Sequence, residues 1–169
     1  MENSSDMADA TAERYRSVAG RIVKSVAVLS VECKGAVQAI TVDSYLDVSY
    51  DPPTMAVSVY AGSRMGDALD TTRRMTLSVL APQHKGTAQW LGTPGQPTYG
   101  LLNGVELADG TTGYPAHIPD AVAVFEMEIV QRLEIETHTL VVGHVAHCAQ
   151  ADGAGLPLLY AGGEYFMLP

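Results

Sequence analysis

Basic residues are scarce in this chain: 10 Lys and Arg stand against 19 Asp and Glu, a formal net charge of −9 over 169 residues. A surface of that sign repels a phosphate polymer, and no run of Lys or Arg reverses it locally, so nucleic acid is excluded as a partner. Small anionic cofactors are not, because backbone N–H groups and one or two cations hold a phosphate even in an acidic protein. Cysteine is almost missing. Cys33 and Cys148 lie far apart and outside any C-x-x-C pair, which leaves metal and redox-motif readings without support. Long apolar runs are missing too, since no segment approaches about 18 unbroken apolar residues. Residues 1–12 are polar and acidic, without the cationic start and apolar stretch of a signal peptide. The expectation is a cytoplasmic protein with free thiols and no membrane association.

Several catalytic signatures are lacking as well. No G-x-G-x-x-G follows a strand, no G-x-x-x-x-G-K-[ST] occurs, and no G-x-S-x-G elbow is present, which removes the Rossmann, P-loop and hydrolase-elbow readings. Five histidines remain, three of them close together as His138, His144 and His147. On a regular strand His138 and His144 share a face while His147 points the other way, so the three converge only through a bulge. No metal site is expected.

What the chain does have is core-forming residues: 47% are hydrophobic and 17% charged, a globular composition at the length of one domain. We expect a flexible segment over 1–12 and one domain over 13–169. Ser4, Ser5 or Asp6 is placed to cap a first helix near 8–22, whose apolar face is Tyr15, Val18, Ala19, Ile22 and Val23. A β-branched run from Val26 turns at Lys34-Gly35 into a second strand through Val37, Ala39 and Thr41. Tyr50-Asp51-Pro52-Pro53 must leave regular structure, and a strand restarts at Met55–Tyr60. Helices near 64–71 and 83–91 flank a strand at Met75–Leu80. Residues 92–120, with six glycines and four prolines, read as a long excursion of the kind that covers a site. Three further strands, over 121–131, 137–149 and 156–168, make the chain mainly antiparallel β with a few helices at the edges.

The densest chemical signal is Ala39–Pro53, where hydroxyls and backbone amides crowd the end of a strand before a forced turn. Such a loop surrounds an anionic or heteroaromatic ligand, or else its hydroxyls cap its own backbone. This run, with the Met75–Leu80 strand, Gln83, the His138–Val145 strand and the terminal Pro157–Tyr165 segment, resembles the flavin reductase-like, FMN-binding split-barrel family. The motifs stand in the family's order over nearly the whole chain from about Tyr15.

The resemblance implies a homodimeric Greek-key split β-barrel with a few peripheral helices and flavin near the dimer interface. It implies an NAD(P)H:flavin oxidoreductase, with NADH or NADPH reducing FMN or FAD, that supplies reduced flavin to a separate monooxygenase. The family's flavin contacts fall on Val37, Gln38, Ala39, Ile40 and Thr41, on Asp43 and Ser44, and on Ser58, Val59 and Tyr60. Ser63 and Arg64 match its phosphate turn, where a guanidinium grips phosphate in two-pronged fashion. Gln89 and Trp90 match a further flavin contact. His138 matches the nicotinamide-facing histidine, and Gly163, Glu164 and Tyr165 the terminal nicotinamide-proximal turn. Two departures stand out: the usual Gly-Asp-His is Glu136-Thr137-His138, and Asp43 stands where many members have a small or neutral polar residue. The competing readings are an FMN-dependent oxidoreductase acting on an organic substrate, a flavin- or haem-binding carrier without turnover, and an inactive interaction domain.

Overall fold

A computed structural model describes residues 4–97, 99–153 and 155–168. Helix α1 spans Ser4–Ala19, so it begins before the predicted residue 8 and ends before residue 22; Ser4, Ser5 and Asp6 lie within it. Residues 1–3 of the predicted flexible segment lie outside those described. The helix stops where Gly20 N–H donates to the Arg16 carbonyl at 2.9 Å. Its predicted apolar face is not buried within the protomer: Tyr15 and Val18 are exposed.

Ten strands follow. The hairpin β2 (Ala27–Cys33) and β3 (Ala36–Val42) forms as its sequence predicts, with Lys34 and Gly35 both left-handed, at φ 54° and 74°. Strand β4 (Tyr45–Tyr50) is a correction, because the sequence reads as a loop there. It pairs with β5 (Pro53–Tyr60) around a cis Asp51–Pro52 peptide, so the prolines break the chain only for the turn itself. Helix α2 (Arg64–Thr71), strand β6 (Arg74–Val79), a 3₁₀ turn at Pro82–His84 and helix α3 (Lys85–Gly92) come next. The long strands β7 (Ala123–Ile135) and β8 (His138–Gln150) complete a seven-stranded antiparallel sheet in the order β3-β2-β6-β7-β8-β5-β4. The segment 156–168 is two short strands, β9 (Leu159–Ala161) and β10 (Glu164–Phe166), because Gly162 and Gly163 take left-handed φ and fold it back. They form a second sheet with β1 (Lys24–Ser25). Among the described residues, no helix is long and apolar enough to cross a membrane.

Pleat alternation puts Leu29, Val31, Met75, Leu77, Met127 and Val141 on one face, where they meet Met65 and Leu69 of α2 in the main core. The sheet curls around that core, and its two hydrogen-bonding ends, β3 and β4, stay unpaired with each other. The opposite face carries the buried polar residues Ser30, Thr76, Ser78 and Glu126. They receive the glycine- and proline-rich excursion. Ser30 Oγ donates to the Ala116 carbonyl at 2.5 Å, Thr76 Oγ1 to the Pro115 carbonyl at 2.9 Å, and Ile118 N–H to Ser78 Oγ at 3.1 Å.

Gly143 on β8 has no room for a side chain: a Cβ would lie 2.8 Å from Met75 Cε and 2.9 Å from Met127 Cβ. Gly143→Ala is expected to destabilise the fold by about 1–3 kcal/mol through overpacking, measured as a lower urea midpoint at unchanged m-value.

Candidate functional site along the edge strand

Strand β3 ends the sheet, so one row of its N–H and C=O groups points away from β2 and is available to a ligand. Its consecutive residues line two cavities. The first, about 160 Å³, is walled by Ala36–Ile40, by Arg64 and Met65 at the start of α2, and by Leu101 and Leu102 of the excursion. The second, about 180 Å³, is walled by Thr41, Val42 and Asp43 with Val26, Gly92, Tyr160 and Tyr165. Val37, Gln38, Ala39, Ile40 and Arg64 are thus brought together, and so are Thr41, Asp43 and Tyr165.

The first cavity is built by three local features. Ser63 caps α2, its Oγ accepting from Gly66 N–H at 3.0 Å and donating to the Tyr60 carbonyl at 2.7 Å, which fixes where Arg64 begins the helix. Arg64 Nη2 reaches the Gln96 carbonyl at 3.0 Å. Trp90, on α3, donates Nε1–H to the Leu101 carbonyl at 2.7 Å, so its indole anchors the loop that carries Leu101 and Leu102 into the wall. Gln89 is exposed beside it.

In the second cavity, Thr41 Oγ1 donates to the Ala88 carbonyl at 2.8 Å, tying β3 to α3. Asp43 is not a bare anion. Lys24 Nζ lies 3.2 Å from its Oδ2, and Ser44 Oγ donates to its Oδ1 at 3.0 Å. Tyr45, next along, shares a 2.7 Å hydrogen bond with Ser25, and burial holds its phenol above the usual pKa. Burial raises the Tyr165 phenol too, with smaller contributions from Tyr160 and the Asp43 carboxylate. Tyr165 packs on Tyr160 with ring centroids 4.9 Å apart.

The remaining predicted residues lie elsewhere. Ser58 N–H donates to the Ser44 carbonyl at 2.8 Å, and the Val59 side chain points into the main core while its backbone faces Thr139 of β8. Tyr60 and His138 stand opposite each other on β5 and β8, their rings edge-to-face at 5.8 Å. Neither cavity on β3 is lined by His138, Gly163 or Glu164.

The departure at Glu136-Thr137-His138 has a physical reading. Glu136 occupies the β7–β8 turn with φ 51°, a left-handed conformation that a side chain disfavours and a glycine accepts. Thr137 Oγ1 lies 3.0 Å from His138 Nδ1, so a hydroxyl orients the ring in the absence of a neighbouring carboxylate. The histidine geometry also differs from the regular-strand expectation. In β8 the register slips between Val145 and His147, and this bulge returns His147 to the face of His144. Even so, no group of three His, Cys, Asp or Glu among the described residues is placed to hold a metal ion.

The sequence reading missed Lys24, Gly92, Leu101, Leu102 and Tyr160. Leu101-Leu102 carries a legible signal, an apolar pair inside an otherwise polar, glycine-rich stretch; Lys24, 19 residues from Asp43, carries none.

A family model, the flavin reductase like domain, matches residues 19–169. The chain belongs to the flavin reductase-like family. It is 29% identical over 163 residues to the NADH-dependent flavin reductase StyB of Pseudomonas fluorescens, covering 92% of this chain and 89% of that one. It is 29% identical over 173 residues to the FMN reductase (NADH) RutF 2 of Methylorubrum extorquens, covering 98% and 95%. Among solved structures, the styrene monooxygenase flavin reductase SMOB of Pseudomonas putida S12 aligns with a TM-score of 0.78 at 27% identity, over 92% of this chain and 98% of that one. The Streptomyces globisporus NADH:FAD oxidoreductase SgcE6, with NAD and FAD fragments, superposes with a TM-score of 0.87 at 22% identity, over 95% and 94%, and shares the fold.

Because Glu136 stores backbone strain in this family member, Glu136→Gly is expected to raise stability by about 1 kcal/mol, read as an increase in thermal midpoint.

Proposed function

We propose that this protein is an NADH-dependent flavin reductase that reduces FMN or FAD and passes the reduced flavin to a separate oxygenase. The observation that carries the reading is the edge strand with the residue after it: Ala36–Val42 and Asp43 line two cavities, with a guanidinium beside the first and an ion pair at the second. The residues suit a flavin. Outward backbone groups of β3 match the hydrogen-bonding edge of an isoalloxazine, Leu101, Leu102 and Met65 offer apolar contact, and Arg64 is placed for the phosphate. Lys24 offsets the Asp43 charge that otherwise opposes an anionic ligand. Val37–Thr41, Asp43, Ser44, Ser58, Val59, Tyr60, Ser63, Arg64, Gln89 and Trp90 form the flavin side of the proposed site, and His138 with Gly163, Glu164 and Tyr165 the nicotinamide side.

When bound, the flavin supplies the hydride acceptor and the nicotinamide the donor. The chain positions both and excludes water, which accounts for a site without a nucleophile or triad. We assign NADH as donor because the relatives so named use it and no pair of cations lines either cavity. The oxygenase partner rests on SMOB, named as the reductase of a styrene monooxygenase. The domain spans 13–169 and works in the cytoplasm.

Each β3 cavity is smaller than the roughly 300 Å³ of an ordinary cofactor pocket, so a second wall is required. A second copy of the chain supplies it. Exposed Tyr15 and Val18 on α1, Leu46 and Val48 on β4, and Leu133 and Ile135 on β7 give that copy an apolar surface to cover. Leu133→Asp is expected to shift the protein from dimer to monomer in sedimentation and to weaken flavin binding with it.

The decisive assay is NADH oxidation with and without added flavin. Arg64→Ala is expected to raise the KM for FMN about tenfold, the loss of one charge-assisted phosphate contact, while the KM for riboflavin, which has no phosphate, stays unchanged. Flavin binding without NADH oxidation would replace this reading with a carrier; equal effects on FMN and riboflavin would remove Arg64 from the phosphate.

A further inference from the structure

On the face of the sheet away from the main core, one row of polar side chains crosses four strands. Ser30 stands opposite Thr76, Thr76 opposite Glu126, and Glu126 opposite His147. The first two spend their hydroxyls on carbonyls of the excursion. The row then opens into a cavity of about 510 Å³ between β7, β8 and residues 109–117, apart from both β3 cavities.

Glu126 is the unusual member, a carboxylate only 4% exposed. Its Oε1 accepts from Thr111 N–H at 2.7 Å, and this bond suffices to seat the loop. The seat is close: a Cβ on Gly110 would lie 3.0 Å from the same Oε1 and 2.6 Å from the Pro115 carbonyl. The second oxygen, Oε2, is buried and has no hydrogen-bond partner among the described residues. His117 Nδ1, in the same cavity wall, is also buried without one. A loop anchor needs one acceptor, and a glutamine supplies it. Glu126 Oε2 therefore calls for a donor, and a His117 ring protonated on Nε2 offers Nδ1 as a second acceptor.

The nature of that donor follows from the lining. Asp109 and Glu126 give the cavity negative charge, no Lys or Arg lines it, and Val124 and Ala149 supply an apolar wall. An anion is repelled. A bare metal ion lacks a third ligand, since no group of three His, Cys, Asp or Glu among the described residues is placed to share one. A protonated primary amine fits, because –NH₃⁺ offers three donors and no acceptor. It donates to Glu126 Oε2 and to the lone pair of a His117 ring carrying its proton on Nε2, while its alkyl tail lies on Val124 and Ala149. We infer that this cavity, bounded by the Glu126 and His117 pair, is a binding site for a small primary alkylammonium ion, separate from the flavin site.

The test titrates n-propylammonium chloride into the full chain, following backbone amide shifts of Thr111 and Ala149 by NMR, with tetramethylammonium chloride and 1-propanol as controls. Tetramethylammonium carries the charge without an N–H; propanol carries the alkyl group without the charge. The expected result is saturable binding of propylammonium alone, about tenfold weaker in Glu126→Gln. That variant keeps an oxygen for Thr111, so its thermal midpoint is expected to hold or rise. His117→Leu, which leaves the loop anchor untouched, provides the second check and is also expected to weaken binding. Equal responses to the controls, no saturation, or undiminished binding in both variants would overturn the proposal, as would a water molecule on Glu126 Oε2 that propylammonium fails to displace.

Discussion

A glycine- and proline-rich excursion holds one shape only if something outside it supplies partners for its backbone, and here the sheet does so from its second face. Ser30, Thr76 and Ser78 are almost wholly buried, positions where a strand facing two apolar layers would carry Val or Ile. Each instead bonds the segment 115–118. Unpaired, those groups would be costly in the interior, and the loop's own amides and carbonyls equally so. The match fixes the excursion at its C-terminal end. Trp90 fixes it near Leu101, and only because both ends are held can Leu101 and Leu102 form a wall against β3. The wall opposite the β3 edge thus depends on a row of hydroxyls on the other face of β2 and β6.

The β7–β8 ladder imposes the other constraint. Strand β6 pairs with the first half of β7, from Ala123 to Glu128, while β5 pairs with the first half of β8, from His138 to His144. The two halves lie at opposite ends of one ladder. Register slips on both strands, at Val130 and at Ala146, absorb the resulting twist. This arrangement splits the barrel: β2 and β3 hang from one half, β4 and β5 from the other, and the outer edge of β3 is left without a neighbouring strand among the described residues. It also explains why residues assigned to the nicotinamide side are dispersed, His138 at the turn end of the ladder and Tyr165 on the small second sheet.

Much of this architecture was legible in the sequence. Alternation and the Lys34-Gly35 turn specify the first hairpin, and helical spacing specifies α2 and α3 to within two residues. The failures have physical causes. Tyr45–Tyr50 alternates weakly, because both its faces are largely exposed at a sheet edge, so no burial pattern marks it as a strand. The apolar stripe of α1 is real, yet Tyr15 and Val18 are exposed on it, and periodicity does not say what covers a face. Parity placed His147 wrongly because a bulge leaves no mark in residue type. Of the residues that line the two β3 cavities, Val37–Thr41, Asp43 and Arg64 could be named from the sequence. Lys24 could not, since an ion pair between separate strands is a property of the folded chain.

That ion pair also changes how the acidic balance should be read. A net charge of −9 says that the surface as a whole repels anions, but a binding site responds to charges within about a Debye length, roughly 8 Å in physiological salt. Beside the first cavity stands Arg64 and at the second the Lys24–Asp43 pair, which sums to zero, while Glu32, opposite Val37 on β2, and Lys34 in the β2–β3 turn stand at the far end of the strand. Placing a neutralised carboxylate beside the site, instead of an uncharged side chain, retains its hydrogen-bond acceptors without retaining its field. Where the resemblance leads one to expect a small or neutral residue, Asp43 stands with its charge offset by Lys24. Lys24 stands on β1, a two-residue strand whose place is set by pairing with β9. The small second sheet thereby supplies the cation that pairs with Asp43 at the end of β3.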